Sequence, residues 1–394
     1  MHAEQTNKIL QYTTFISQYF SEGIQLSIAT VIIPIYLIEK GYSIQITTIV
    51  AGLVMIPWTI KFIFGWFVDR FQKLGRKPFV IYGGIISSIS LFLLTFIDPT
   101  FSLILFQIIL IMGHCGVSLI DVSVDSWAIE TTTKTERGKL NGMMMSGLFL
   151  GLATGASSLS YIANQYGYPS SFLIASIAIA ALIILPLITP YIKQTNIKQD
   201  IHKILIKECK KNKTTLLLII LPIISINSGI LTLAIPLFLK MQFTFTIASI
   251  GFTTTIFTIG RIIGSLLFGT ISDTYGRKQT LITIIIATIL LTILIPSSNE
   301  QTIIPIYATL GVLNGALFTI LLALCMDITN KKIGATEFSI LISVMNLGEL
   351  LGETTSGSLI ATIGFNKMFL FAGWIMGPGL LLFIFYKEKI QKTT

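Results

Sequence analysis

Gly65-Trp-Phe-Val-Asp69-Arg70-Phe-Gln-Lys73-Leu-Gly75-Arg76-Lys77 and, about two hundred residues later, Gly269-Thr-Ile-Ser-Asp273-Thr-Tyr-Gly276-Arg277-Lys278 decide how this chain folds. Each stretch closes a long apolar run, turns through a short basic loop and opens another apolar run. A helix end, a glycine turn and paired cations, repeated once per half, indicate a duplicated polytopic membrane protein. The copies differ in length: six residues separate Asp69 from Gly75, and three separate Asp273 from Gly276.

Working outward, the 394 residues are 53% apolar and only 11% charged. Soluble domains carry about a quarter charged residues, so this surface is not built for water. Apolar runs of about 20 residues, enough to cross a bilayer as a helix, are expected at 10–38, 44–68, 77–97, 101–127, 138–163 and 169–192. A second set is expected at 214–238, 245–272, 279–297, 302–328, 336–362 and 367–386. The fold class is therefore an all-α integral membrane protein with twelve transmembrane helices in two pseudo-symmetric six-helix bundles. The units are residues 1–192, a basic linker at 193–213, and residues 214–394. A β-barrel is excluded, because the runs do not alternate in polarity.

On this map 22 of the 27 Lys and Arg fall on the side of the N-terminus. Lys40, Lys240 and Lys367 fall on the other side, and Lys61 and Arg261 lie inside spans. The positive-inside rule then places both termini in the cytoplasm of a multi-pass cell-membrane protein. The net charge of +9 reflects that asymmetry and not nucleic-acid binding. The first apolar run is too long for a cleavable signal. Cys115, Cys209 and Cys325 have no metal-like spacing and are expected to be reduced packing residues.

In the paired loops, Asp69 and Asp273 follow Gly65 and Gly269 by four residues. A carboxylate at a helix end can accept hydrogen bonds from a neighbouring helix and pair with Arg70, Arg76, Lys77, Arg277 or Lys278. Such a contact, made in one conformation and broken in another, forms a conformational latch with Gly65, Gly75 and Gly276 as its turns. The blander alternative is that the cations serve only topology.

These loops resemble the signature between the second and third helices of the major facilitator superfamily, with its echo between the eighth and ninth. The longer first copy narrows the resemblance. Pro57-Trp58-Thr-Ile-Lys61 through Arg70, with Leu74-Gly75-Arg76-Lys77-Pro78, is similar to the AmpG and acetyl-CoA-transporter branch. Asp121-Val-Ser-Val-Asp125-Ser-Trp127-Ala-Ile-Glu130, Tyr19-Phe20-Ser-Glu22-Gly23, and Ser343-Val-Met-Asn346-Leu347-Gly348 agree with it. Ile120 departs from the glutamine expected in that branch, which predicts a missing polar cavity contact. The resemblance implies two bundles around a central cavity that opens alternately to each side.

Charged groups within spans are costly and mark pathways. Glu22, Asp121, Asp125, Glu349 and Glu353 are the proton-coupling candidates; Asp121/Asp125 and Glu349/Glu353 each lie one helical turn apart. Two carboxylates so close in a low dielectric do not readily both ionise, so one is expected to hold a proton. Asp121 and Glu130 rank lower, as wet groups near the cytoplasmic face. Lys61, Arg261, Tyr19, Trp58 and Asn346 are the substrate-binding candidates, with a static ion pair of Lys61 as the competing reading. His114 reads as an interior residue. Gly147, Gly151 and Gly155 form a small-residue stripe expected to pack helices within the molecule. Trp58, Trp66, Trp127 and Trp374 fall near span ends, where interface anchoring suffices.

The sequence has no paired His/Cys metal spacing, nucleotide loop or nucleophile–base arrangement, so an enzyme is not expected, and transport without a Walker motif is secondary. No cofactor is needed beyond a proton gradient. The resemblance implies proton-coupled uptake of a polar anionic solute, such as anhydromuramyl saccharide-peptides, into a bacterial cell through a monomeric inner-membrane permease. Acetyl-CoA or a nucleotide-like anion is the alternative. A non-transporting sensor is disfavoured by the short tail after residue 386. Partners are the anionic solute, protons and the lipid bilayer, with no nucleic acid.

Overall fold

The protein was analysed as a computed structural model that describes residues 2–131, 134–190, 212–328 and 334–385. The described side chains exclude residues 2–6, 69, 72, 134–139, 141, 212–213, 273 and 334–337. The linker expected at 193–213, with Cys209, lies almost wholly outside the described residues.

The described residues are almost all helical, as apolar runs with no competing backbone partner in a membrane require. In the first half, α1 (His2–Ser27) runs through a π-helical turn at Ile28–Ile32 into α2 (Ile33–Glu39). Then come α3 (Ile44–Leu53), α4 (Ile56–Thr59), α5 (Lys61–Arg70), α6 (Lys77–Leu94) and α7 (Leu103–Thr131). The half ends with α8 (Lys134–Thr154), a second π-turn at Gly155–Leu159, α9 (Ser160–Tyr166), α10 (Tyr168–Leu182) and α11 (Ile184–Ile188). The second half holds α12 (Asn212–Gln242), α13 (Ile247–Tyr275), α14 (Arg277–Leu294), α15 (Glu300–Ile328), α16 (Gly334–Trp374) and α17 (Met376–Ile384).

Ten helical stretches among the described residues are long and apolar enough to cross a membrane, against twelve expected. The difference has two local causes. The second expected span is broken into α3, α4 and α5, because Pro57 lacks an N–H and its ring crowds the preceding turn. The two last expected spans fall in one stretch, Phe338–Ile384, which runs through α16 into α17 and is broken at Gly364 (φ 76°, ψ 166°). Pro34 sits just after the first π-turn, whereas Pro222 and Pro236 are carried inside α12.

Helix pairs within each half are joined by small residues. Gly147 and Gly151 of α8 face the backbone of Ile16 and Phe20 on α1 so closely that any Cβ would overlap it. The stripe therefore packs helices within the chain. A leucine at Gly151 must push α8 away from α1, an overpacking that costs about 1–3 kcal/mol or more. Gly151→Leu is expected to remove most of the monodisperse protein in size-exclusion chromatography, while Gly142→Leu, whose Cβ meets open space, leaves the yield unchanged.

The two halves meet mainly at the end away from the paired loops. There Glu39 of α2 pairs with Lys240 of α12 and also accepts a hydrogen bond from Tyr168 at 2.7 Å. The Gly357 amide donates to Thr48 Oγ1 at 3.1 Å, and Thr255 donates to the Ala153 carbonyl at 2.9 Å. Ile235, Phe238, Phe365 and Phe369 fill the core behind this seal with Ile32 and Val50.

Candidate functional site

Below the seal lies a cavity of about 120 Å³ between the halves. Its walls come from both: Thr30 and Trp58 on one side, Ser228, Arg261, Tyr307, Asn346, Glu349 and Glu353 on the other. On the loop-motif side it is crossed by a hydrogen bond from Asn346 Nδ2 to the Trp58 carbonyl at 3.2 Å. The break around Pro57 makes this possible, since it turns the backbone of α4 towards α16.

Among the described residues, the charges lining this cavity belong to the second half. The Arg261 guanidinium lies 4.9 Å from the centroid of the Phe149 ring, a cation–π contact across the seam. Its Nε is buried and finds no hydrogen-bond partner among the described residues. Glu349 lines the cavity with Arg261 and Ser228, and the Ser228 hydroxyl accepts a 3.0 Å bond from Asn314 Nδ2. Glu353, one turn further towards the seal, is 4% exposed, and its Oε2 also lacks a partner among the described residues. Tyr307 stacks on Phe257 with centroids 4.5 Å apart.

A second cluster gathers Tyr19, Glu22, Lys61, Asp121 and Asp125 within the first half. Lys61 Nζ lies 3.2 Å from Asp121 Oδ2, and Tyr19 donates to Asp125 Oδ1 at 2.6 Å and reaches Asp121 Oδ1 at 3.4 Å. Glu22 is buried, within electrostatic reach of both aspartates and of Lys61. Asp121 was expected to be wet; its side chain is only 13% exposed, because α7 continues to Thr131 and carries Asp121 inside the bundle.

The loop cations have partners within each half, in matching positions. Arg76 Nε binds Glu130 Oε1 at 2.9 Å, and Arg277 Nε binds Asp327 Oδ2 at 3.2 Å. Lys77 donates to the carbonyls of Leu187 and Thr189, and Lys278 to that of Ile384. Cations at helix C-termini satisfy orphan carbonyls and oppose the dipole. Gly75 and Gly276 make the turns possible with φ of 84° and 89°. Gly65 lies in α5 and Arg70 ends it at the surface. The side chains of Asp69 and Asp273 lie outside the described residues.

Three sequence expectations are corrected. Glu130 is a largely covered partner of Arg76, its side chain 10% exposed, and not a wet group. Trp127 is fully buried, edge-on to Phe15 at 5.3 Å, and does not anchor an interface; Trp66 and Trp374 are exposed on the outer surface. Ile120 packs in the core against Gly83 of α6, so this position faces a helix and not the cavity. Sequence reasoning missed Ser228 at the cavity with Asn314 behind it, Tyr307 at the cavity and the Glu39–Lys240 pair. Polar residues inside apolar runs are a signal for the first two; nothing local marks a pair 201 residues apart.

Asp98, in the loop between α6 and α7, lies outside the spans. Burial would raise its carboxyl, but hydrogen bonds from Lys40 and Thr100 outweigh this and hold it down at about 2. A folded value below the ordinary carboxylate range gives stability that is present above about pH 4 and lost as pH falls through about 2. Acid dependence of function between about pH 5 and 7 therefore does not come from Asp98. Asp98→Asn is expected to leave a transport–pH profile in that range unmoved.

Two bundles around a seam cavity with buried charges are the arrangement of an alternating-access carrier. The major facilitator superfamily profile matches residues 15–226 and 217–394, and the chain belongs to that superfamily. It is similar to "Putative transporter AmpG 1" of Rickettsia bellii, 24% identical over 390 residues, covering 91% of this chain and 93% of the relative. The protein of the same name in Rickettsia conorii is 23% identical over 94% of this chain and 96% of its own. Two solved structures share the fold. A bacterial homologue of the human lysosomal transporter Spinster, inward-facing and unoccupied, has a TM-score of 0.75 at 12% identity, covering 96% and 95% of the two chains. The nucleoside transporter NupG, as its D323A mutant, has 0.77 at 13%, covering 96% and 100%. The chain is thus a multi-pass membrane transporter and not an enzyme.

Proposed function

We propose that this chain is a proton-coupled secondary transporter that carries a polar organic anion into a bacterial cell, with anhydromuramyl saccharide-peptides as the first substrate class to test. The observation that carries this reading is the seam cavity, where Arg261 presents a buried N–H with no partner among the described residues, beside two carboxylates one turn apart. The AmpG name of the similar Rickettsia proteins supports the substrate class. The cavity is smaller than the roughly 300–1,000 Å³ of an ordinary ligand site. Opening the Glu39–Lys240 end is then the step that admits cargo, and breaking the Asn346–Trp58 bond is the step that releases it to the other side.

In this reading the chain crosses the membrane twelve times, α3–α5 forming one crossing and α16 bending at Gly364 between two. The paired loops and both termini face the cytoplasm, in accord with the Lys and Arg distribution, and the halves stand closed at the periplasmic end. Residues 1–192 and 214–394 rock about the cavity, with the linker at 193–213 between them. Arg261 takes the anionic group, while Tyr307, Trp58 and Asn346 frame the rest. Glu349 and Glu353 exchange a proton as the anion comes and goes, because a cavity with one cation and two carboxylates repels an anion unless one carboxylate is neutral. The Tyr19–Asp125–Asp121–Lys61 cluster, with Glu22, forms a second proton-handling site in the other half. Asp69 and Asp273 latch the cytoplasmic loops. The working unit is a monomer needing no cofactor.

Glu349→Gln tests the coupling. Substrate exchange across equal pH is expected to persist, while accumulation against a concentration gradient is lost. Full proton-driven accumulation by that variant removes Glu349 from the mechanism.

A further inference from the structure

A second chamber, about 300 Å³ in volume, lies between α8 of one half and α13 and α15 of the other, on the loop-motif side of the cavity. It shares Met145, Phe149 and Phe318 with the central cavity. Its own lining is apolar, with Ile262, Leu266, Leu322, Ala323 and Met326. Of its hydroxyls, Ser146 is turned back onto the Gly142 carbonyl at 2.8 Å and Ser265 onto the Gly315 carbonyl at 3.1 Å. Among the described side chains no cation lines it, so they offer a polar anion no partner there.

The chamber is open at its rim. Leu266 is 69% exposed and Met326 49%. Beside Leu266, α13 presents Ile259, Ile263 and Leu267, also exposed, and α8 presents Leu150. In a membrane-spanning chain such exposed apolar faces meet hydrocarbon, and the chamber continues inward from them.

We propose that this chamber takes the acyl chain of a bilayer lipid, which enters between α8 and α13 and props the halves apart at the loop-motif end. The prop follows from position: the chamber is walled by both halves, so closing that end while the Glu39 end opens must expel its contents. This part rests on the alternating-access reading above. The lipid tail is then a brake whose release accompanies each transport cycle.

The test uses the full-length protein in nanodiscs of phosphatidylcholine bearing a diazirine near the end of one acyl chain, with photolabelled residues mapped by mass spectrometry. Label is expected on Met145, Leu322, Ala323 and Met326 as well as on the outer faces at Leu150 and Leu267. Ala323→Phe and Gly142→Leu each fill the chamber and are expected to lower its label at least tenfold while leaving the outer label unchanged. Label confined to the outer faces, or chamber label indifferent to both substitutions, overturns the site. Glu39→Lys sets two cations together at the seal, favours opening there, and is expected to reduce chamber label severalfold; adding Lys240→Glu restores it. Chamber label that ignores Glu39→Lys overturns the prop while leaving the site. Labelling needs neither substrate nor protons, so failure of the proposed cargo does not affect the result.

Discussion

Arg261→Gln is expected to weaken binding of the transported anion by roughly thirtyfold to several thousandfold. Removing one partner of a buried charge pair costs about 2–5 kcal/mol, and each 1.4 kcal/mol is about tenfold in affinity. Arg261 is suited to this role because its Nε is buried with no partner among the described residues, while the Phe149 ring holds the guanidinium from one side. Lys61, the other cation within a span, is already committed to Asp121. The same substitution leaves Glu349 without its cation, so lost binding has to be separated from lost folding. Arg261→Gln with Glu349→Gln removes the unpaired carboxylate; thermal stability is expected to recover while affinity stays low. Equilibrium binding of labelled substrate to purified protein checks both. Affinity within threefold of the unmodified protein in the single variant contradicts the assignment.

Lys61→Met is expected to destabilise the first half by several kcal/mol, on the order of 3–5. Lys61 and Asp121 are 18% and 13% exposed, and Asp125 and Glu22 lie close by. Breaking a buried pair by removing one partner costs about 3–5 kcal/mol, because the remaining charge is uncompensated. Replacing both partners by apolar groups is often nearly neutral. Lys61→Met with Asp121→Leu is therefore expected to unfold at a higher temperature than Lys61→Met alone. The check is thermal unfolding in detergent, followed by intrinsic fluorescence. A single variant as stable as the unmodified protein, or a double variant less stable than the single, contradicts the paired arrangement. Transport by the stabilised double variant then reports whether the cluster handles protons or only joins α5 to α7.

Much of this architecture is legible in the residues because hydrophobic runs and breakers act locally. The loop pair, the glycine turns at Gly75 and Gly276, and the stripe Gly147–Gly151–Gly155 each imply their geometry without long-range information. Nothing local tells that Pro57 breaks its span and brings the Trp58 carbonyl to Asn346, while Pro222 and Pro236 are carried inside a helix. The partners of the loop cations are not legible either. Arg76 and Glu130 are 54 residues apart, and only the packing of α6 on α7 brings them together. Trp127 illustrates the same limit: its place near a span end suggests the interface, but tertiary packing buries it against Phe15. Within the site, the charged residues stand out by their cost in a membrane. Their separation into a cavity lined by Arg261, Glu349 and Glu353 and a distinct Lys61 cluster depends on how the helices are turned.

The most direct test of the central claim is uptake of a labelled anhydromuramyl peptide into proteoliposomes holding the purified protein, with and without an inward proton gradient. The account predicts accumulation above the external concentration only when the gradient is present, abolished by Arg261→Gln. No uptake by protein shown to be folded, or uptake indifferent to the gradient, contradicts it.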